Sequence, residues 1–448
     1  MSRSDFTEGR ILAPLLKFGI PIFFALLLQT MYTSVDLIVI GQFRSSSEVA
    51  AVATGGQIMT MISNVVSGIA VGTTVFIGQK LGERKNDEVG TIIGSSIFLF
   101  FVFSILVTVL VSIFAGTLSS LMMIPPEAYE QTNTYMRISA WGSIFFIAYN
   151  VLGAIFRGLG DSKTPLLAVL IACIINIFGD LYFVAVLGMG VEGVAIATVM
   201  AQAISVIISI LIIRKRKLPF HFTRNHLKPN KNIIKRVLDL GVPIALQDFL
   251  IGLSMLALTS IVNSLGLVAA AGIGVSRRLI LLIMLIPIAF MQSLAAFVAQ
   301  NVGAKEHKRA KKALAYGLIS SLVPSFFIAY FTFFHGDILS RLFTTDTAVI
   351  LASWEYLRAY AIDCMQTPIF FCMNGYFNGY GKTKFVMIQN LIGALALRMP
   401  VAYFMSRLED TNLFKIGLAT PISSSFQIIF CVVFFIYLQK RIKKTEFA

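Results

Sequence analysis

The chain has 448 residues, 57% of them hydrophobic and only 13% charged, with a mean hydropathy of +0.82 and a formal net charge of +15. A water-soluble domain cannot hide that much apolar surface, whereas each bilayer crossing needs about 20 apolar residues. The composition therefore excludes a soluble enzyme or binding module, and the basic excess carries no aromatic-basic platform of the kind nucleic acid requires.

Twelve spans are predicted, at 14–42, 48–78, 89–115, 132–156, 165–187, 191–213, 234–265, 268–299, 311–334, 348–376, 384–406 and 414–438. The first nine residues are polar, and no small-residue cleavage site follows a short apolar core, so the first span is expected to be retained. Counted by loop, 28 basic residues fall on one side. They are Arg3, Arg10 and Lys17, then Lys80, Arg84 and Lys85, then Arg157 and Lys163, and the runs from Arg214 to Arg236, Lys305 to Lys312, Lys382 to Lys384 and Lys440 to Lys444. The opposite loops hold only Arg44, Arg341, Arg407 and Lys415. The positive-inside rule then places both termini in the cytoplasm of a multi-pass protein of the cell (plasma or inner) membrane. Cys173, Cys364, Cys372 and Cys431 all fall in spans without metal-ligand spacing and read as small apolar packers.

In the first span Pro21 removes a backbone hydrogen bond and permits a bend. Gln29, Tyr32 and Asp36 follow it at helical spacing on one face. The fifth span carries Asn176 and Asp180 four residues apart, and Asp180 lies about 22 Å from the start of that span at ~1.5 Å rise per residue. Thr198, about 10 Å into the sixth span, reaches a compatible depth. Singly, Gln29, Tyr32 and Thr198 read as polar groups satisfied by neighbouring helices. Two acids at membrane depth are harder to explain as packing, and they mark an ion path or a partner. Carboxylate, amide and hydroxyl oxygens suit Na⁺, and a desolvated Asp equally suits H⁺.

A repeat at an offset near 221 residues divides the chain. KFGIPI (Lys17–Ile22) returns as DLGVPI (Asp239–Ile244), FIGQKLGERK (Phe76–Lys85) as FVAQNVGAKE (Phe297–Glu306), and RGLGDSK (Arg157–Lys163) as NGYGKTK (Asn378–Lys384). The expected organisation is all-α: a six-helix lobe at 1–213, a basic cytoplasmic linker at 214–233, and a second six-helix lobe at 234–448. An even number of spans relates the lobes by a pseudo-two-fold axis along the membrane normal. The chemistry is not repeated. At that offset Asn176 meets Leu397, Asp180 meets Val401, and Asp36 meets Leu258 or its neighbour.

VDLIVIG (Val35–Gly41), RGLGDSKTP (Arg157–Pro165), NIFGD (Asn176–Asp180) and GVAIAT (Gly193–Thr198) resemble the multidrug and toxic compound extrusion (MATE) family over essentially the whole chain. The resemblance implies antiport of Na⁺ or H⁺ against organic, chiefly cationic, small molecules by alternating access, with no cofactor beyond the coupling ion. In that family Gln29, Tyr32, Asp36, Asn176, Asp180 and Thr198 match cation-site positions. Na⁺, if it is the coupling ion, would sit at Asp36, Asn176, Asp180 and Thr198. A single chain is expected to suffice.

The C-terminal half departs from the family pattern. Asp248, Asp363, Arg277, Arg278 and Arg398 lie at or near membrane depth. Asp248, Asp363, Arg277 and Arg398 form a candidate substrate or proton site, with the arginines expected to neutralise one of the acids or else to favour an anionic or zwitterionic substrate. Met291 and Gln292 are candidate cavity lining. ATP coupling is not indicated: Gly381-Lys382-Thr383 has Tyr376 where a phosphate loop needs its first glycine. His221, His226, His307 and His335 are isolated, so no hydrolytic constellation forms. A passive channel lacks a filter-like loop. The remaining competitor is a lipid-linked oligosaccharide flippase of related architecture, which should line its cavity with basic residues.

Overall fold

A computed structural model describes residues 6–215, 224–263 and 265–446; Arg3, His221 and the central part of the predicted linker, 216–223, lie outside them. Among the described residues there is no strand. The N-terminal half comprises α1 (Leu12–Phe43), α2 (Ser46–Gly82), α3 (Asn86–Leu121), α4 (Pro126–Trp141), α5 (Ser143–Gly158), α6 (Lys163–Asp180) continued by a π-helical stretch (Leu181–Val186), and α7 (Val191–Lys215). The C-terminal half comprises α8 (Lys231–Asn263), α9 (Leu267–Ile283), α10 (Leu285–Gly303), α11 (His307–Arg341) and α12 (Thr347–Gly379). After these come α13 (Thr383–Leu391), a second π-helical stretch (Ile392–Arg398), α14 (Met399–Ser406), α15 (Leu413–Gly417) and α16 (Ala419–Glu446).

Ten stretches are long and apolar enough to cross a bilayer, and α4 with α5, bent by 53°, make an eleventh. The bend falls at Gly142, where a β-carbon would run into Val199 of α7. The remaining predicted span, 348–376, is the continuous helix α12, which is not among the stretches apolar enough to cross. It carries Glu355, Arg358 and Asp363 and is packed by α9, α10, α11, α15 and α16, so protein rather than lipid covers most of it. Exposed apolar side chains concentrate elsewhere, as at Phe101, Ile105 and Ile113 of α3 and Ile319, Phe327 and Phe334 of α11.

The repeat is visible in backbone detail. Gly160 and Gly381 both adopt positive φ, 79° and 69°, as do Arg84 and Lys305 at 59° and 61°. Each turn closes in the same way: the N–H of Asp161 donates to Phe156 O, and that of Lys382 to Phe377 O, the six-residue closure of a helix ending on a left-handed residue. Two residues earlier, a β-carbon at Gly158 would stand 2.9 Å from Ile77, and one at Gly379 would stand 2.7 Å from Val298. The RGLG and NGYG motifs thus combine a close helix approach with a tight stop. In the first copy Asp161 caps the next helix, its Oδ1 accepting the N–H of Lys163 at 3.0 Å and of Thr164 at 3.2 Å.

Contacts divide the chain into two compact units, one formed by Ile20–Ala245 and the other by Phe6–Gly19 with the chain from Leu246 onward. The division falls inside α8 rather than at the predicted linker. The first unit is built round α2, whose Ile58, Val66, Ile69 and Ile77 pack with Ile92, Phe100, Met136 and Ile155. Small residues bring the start of α8 against it: a β-carbon at Gly72 would stand 2.5 Å from Val237 O, and Gly241 meets the Ile69 backbone as closely. In the second unit α10 and α12 approach through Gly375, which abuts the backbone of Met291.

Candidate functional site

Asp36 lies on the buried face of α1 that also presents Val39 and Ile40 to Tyr135 of α4 and to Val191, Val194 and Ala195 of α7. Gly179 lets α6 and α7 close on one another, since a β-carbon there would be 3.0 Å from that of Ala197. That approach sets Asn176 and Asp180 beside Thr198, one residue beyond Ala197. Asp180 is also the last residue before the helix widens into its π-helical stretch, a feature found often at functional positions.

The structure brings the four central residues together. Thr198 Oγ1 donates to Asp36 Oδ2 at 3.4 Å and accepts from Asn176 Nδ2 at 3.3 Å. The Asp180 carboxyl neighbours that of Asp36, and Tyr135 stands beside both acids. Asp36, Asn176 and Asp180 are 5%, 1% and 0% exposed. Asp36 Oδ1, Asn176 Oδ1 and both Asp180 carboxyl oxygens have no hydrogen-bond donor. A buried polar atom without a partner costs about 1–3 kcal/mol, more when charged. Gathered around two acids, these oxygens form a receptor for positive charge.

Next to this cluster is a small cavity, lined by Tyr32, Tyr149, Asn176, Thr198, Gln202 and Ser205 among others. Tyr32 therefore belongs to the site, and Gln29 reaches it through a hydrogen bond to Tyr32, which Gln202 also contacts. Gln202 and Ser205 were not anticipated from the sequence, although they follow Thr198 by four and seven residues on one helical face. Tyr135 and Tyr149 gave no such signal, because only packing decides which face of α4 or α5 turns inward.

Pro21 sits within a continuous α1, one residue past the point where that helix passes from one unit to the other. In the C-terminal unit neither Asp248 nor Asp363 makes an ion pair with Arg277 or Arg398 among the described residues, although Arg398 lies within electrostatic range of Asp363. Asp248 is bonded at 3.3 Å by Gln247, which Asn390 bonds in turn at 2.9 Å, and neither arginine is its partner. Asp363 is buried, its Oδ2 accepting from Thr367 at 2.8 Å. Arg398 is an electrostatic neighbour of Asp363 but donates its bond to Ser254 Oγ at 2.6 Å, and Arg277 donates to Met255 O at 2.5 Å. Similar depth did not translate into ion pairs, because the arginines' bonds go to Ser254 and Met255. Met291 and Gln292 are half-buried on α10.

An all-helical membrane protein with a buried, donor-poor acid cluster is the class these features define. The MatE family's sequence model matches twice, at residues 21–182 and 243–404, and the chain belongs to that family, whose members are transporters rather than enzymes. It is similar to the probable multidrug resistance protein YpnP of Bacillus subtilis, 28% identical with 99% of this chain and 98% of that protein covered. A second relative from the same bacterium, the probable multidrug resistance protein YoeA, is 25% identical with coverages of 95% and 93%. The fold matches the outward-facing structure of a multidrug resistance MATE family transporter with a TM-score of 0.91 at 20% identity, covering 100% of this chain and 99% of the other.

Proposed function

We propose that the protein is a secondary active multidrug exporter that exchanges Na⁺ or H⁺ for organic, chiefly cationic, compounds by alternating access. The observation that carries this reading is the set of buried oxygens on Asp36, Asn176 and Asp180 that lack donors. Two acids in contact at membrane depth cannot both stay charged at low cost, so one proton or one monovalent cation is the natural occupant. The adjoining cavity supplies polar lining on the approach to it, through Tyr32, Thr198 and Gln202. Relatives named as probable multidrug resistance proteins support outward movement of foreign compounds, and the basic loops support cytoplasmic termini in the cell membrane.

Cation uptake cancels one negative charge of the pair and favours whichever conformer completes its coordination. Coupling is then limited by the ion's differential affinity for the two access states. The flippase reading is weaker, because the cavity beside Tyr32 and Thr198 adjoins acids rather than basic residues. Purified protein reconstituted with ethidium tests the proposal: an imposed Na⁺ or pH gradient, applied independently, should drive dye movement, and Asp36→Asn should reduce it to the rate of empty vesicles. Equal dye movement with neither gradient, or full activity in Asp36→Asn, overturns it.

A further inference from the structure

The C-terminal unit rebuilds the frame of the acid site with the opposite charge. Tyr135 is matched by Tyr356 at an offset of 221 and Thr198 by Thr420 at 222, and Tyr356 and Thr420 touch through a side-chain hydrogen bond. The helix that carries Asn176 and Asp180 in the first unit runs into a π-helical stretch, and so does its counterpart, which ends that stretch at Arg398. Arg398 lies one residue beyond Leu397, the repeat partner of Asn176. Arg277 and Arg398 both neighbour the Tyr356 ring and one another. Asp363 is the single acid among them, and its own bonds come from Thr367 and Ser424.

Two guanidinium groups against one carboxyl leave this cluster with surplus positive charge inside the membrane-spanning part of the chain. Neither arginine makes an ion pair among the described residues, and Arg398 Nε is buried with no acceptor. Each guanidinium gives a single bond to the protein, Arg398 to Ser254 and Arg277 to the Met255 carbonyl, so most of their N–H donors are available. Unpaired arginines at such depth are costly, and their planar forks match the two oxygens of a carboxylate or phosphate. Arg277 is half-buried rather than sealed, which leaves an approach to the cluster.

We infer that Arg277 and Arg398, framed by Tyr356 and Ser254, form an anion-binding subsite that takes a carboxylate or phosphate group of a transported organic compound or of a membrane lipid. This goes beyond the antiport reading, since it extends the substrate class to anionic or zwitterionic molecules. It does not depend on which cation couples.

Fluorescence anisotropy of fluorescein, a dianionic dye, with the full-length purified protein in nanodiscs reads the site without any gradient. Arg398→Gln and Arg277→Gln should each weaken fluorescein binding at least about tenfold while changing ethidium binding less than about twofold. Arg398→Lys, which keeps the charge on a flexible stem, should retain part of the affinity and guards against misfolding as the cause. Weaker fluorescein binding in phosphatidylglycerol than in phosphatidylcholine nanodiscs assigns the anion to lipid, and equal binding assigns it to a soluble ligand; both support the subsite. Wild-type affinity in both glutamine variants, or no fluorescein binding by wild-type protein that still moves ethidium down a cation gradient, overturns the inference while leaving the antiport reading standing. Loss of gradient-driven ethidium movement with arginine-dependent fluorescein binding intact does the reverse.

Discussion

Thr198 Oγ1 is the atom that links Asp36 to Asn176, donating to the first at 3.4 Å and accepting from the second at 3.3 Å. Replacing it by valine keeps the shape and removes the hydroxyl, leaving Asn176 Nδ2 and Asp36 Oδ2 without that partner. A buried group so stranded costs about 1–3 kcal/mol. Thr198→Val should therefore raise the cation concentration for half-maximal ethidium efflux about tenfold at unchanged expression, measured by titrating Na⁺ and pH separately. An unchanged half-maximum would remove Thr198 from the coordinating set. Tyr135 surrounds the same acids, yet nothing in its local sequence distinguishes it from tyrosines that face elsewhere.

At the scale of elements, small residues decide which helices touch. Gly68 and Gly72 on α2 are one turn apart, and both meet α8 at distances that leave no room for a β-carbon, 2.6 Å to Ala245 and 2.5 Å to Val237 O. Gly72→Val should destabilise the protein by about 1–3 kcal/mol through overpacking, read as a lower melting temperature in detergent. Gly274 on α9 has nothing within 4 Å of its would-be β-carbon, so Gly274→Val should leave the melting temperature unchanged and serves as the control. Comparable losses in both variants would indicate a general intolerance of valine rather than a close helix contact. The same logic explains the paired turns after α5 and α12, where Gly160 and Gly381 hold a left-handed backbone that a side chain would strain.

For the whole molecule, two helices are shared between the compact units, α1 at Gly19/Ile20 and α8 at Ala245/Leu246, each beside its proline. Pro21 and Pro243 have no N–H to donate to the carbonyls of Lys17 and Asp239, so both helices are weakened where they cross. Pro21→Ala restores that bond and should slow gradient-driven efflux about tenfold, within the usual span of coupling energies, while ethidium binding stays unchanged. Efflux at the wild-type rate with normal expression removes Pro21 from the transport cycle.

Span positions, the internal repeat and the meeting of Asp36 with Asn176, Asp180 and Thr198 were all legible in the chain. A bilayer makes long apolar runs obligatory and isolated acids conspicuous, and depth follows from counting residues along a helix. The azimuth of a side chain does not. Whether Arg398 pairs with Asp248, neighbours Asp363 or bonds Ser254 depends on helix rotation and on the extra residue accommodated by the π-helical stretch, which are set by packing between distant parts of the sequence. For that reason the inclusion of Tyr149 and Gln202 in the cavity, the point at which α8 changes partners, and the grouping of Arg277 and Arg398 beside Tyr356 emerged only from the folded chain.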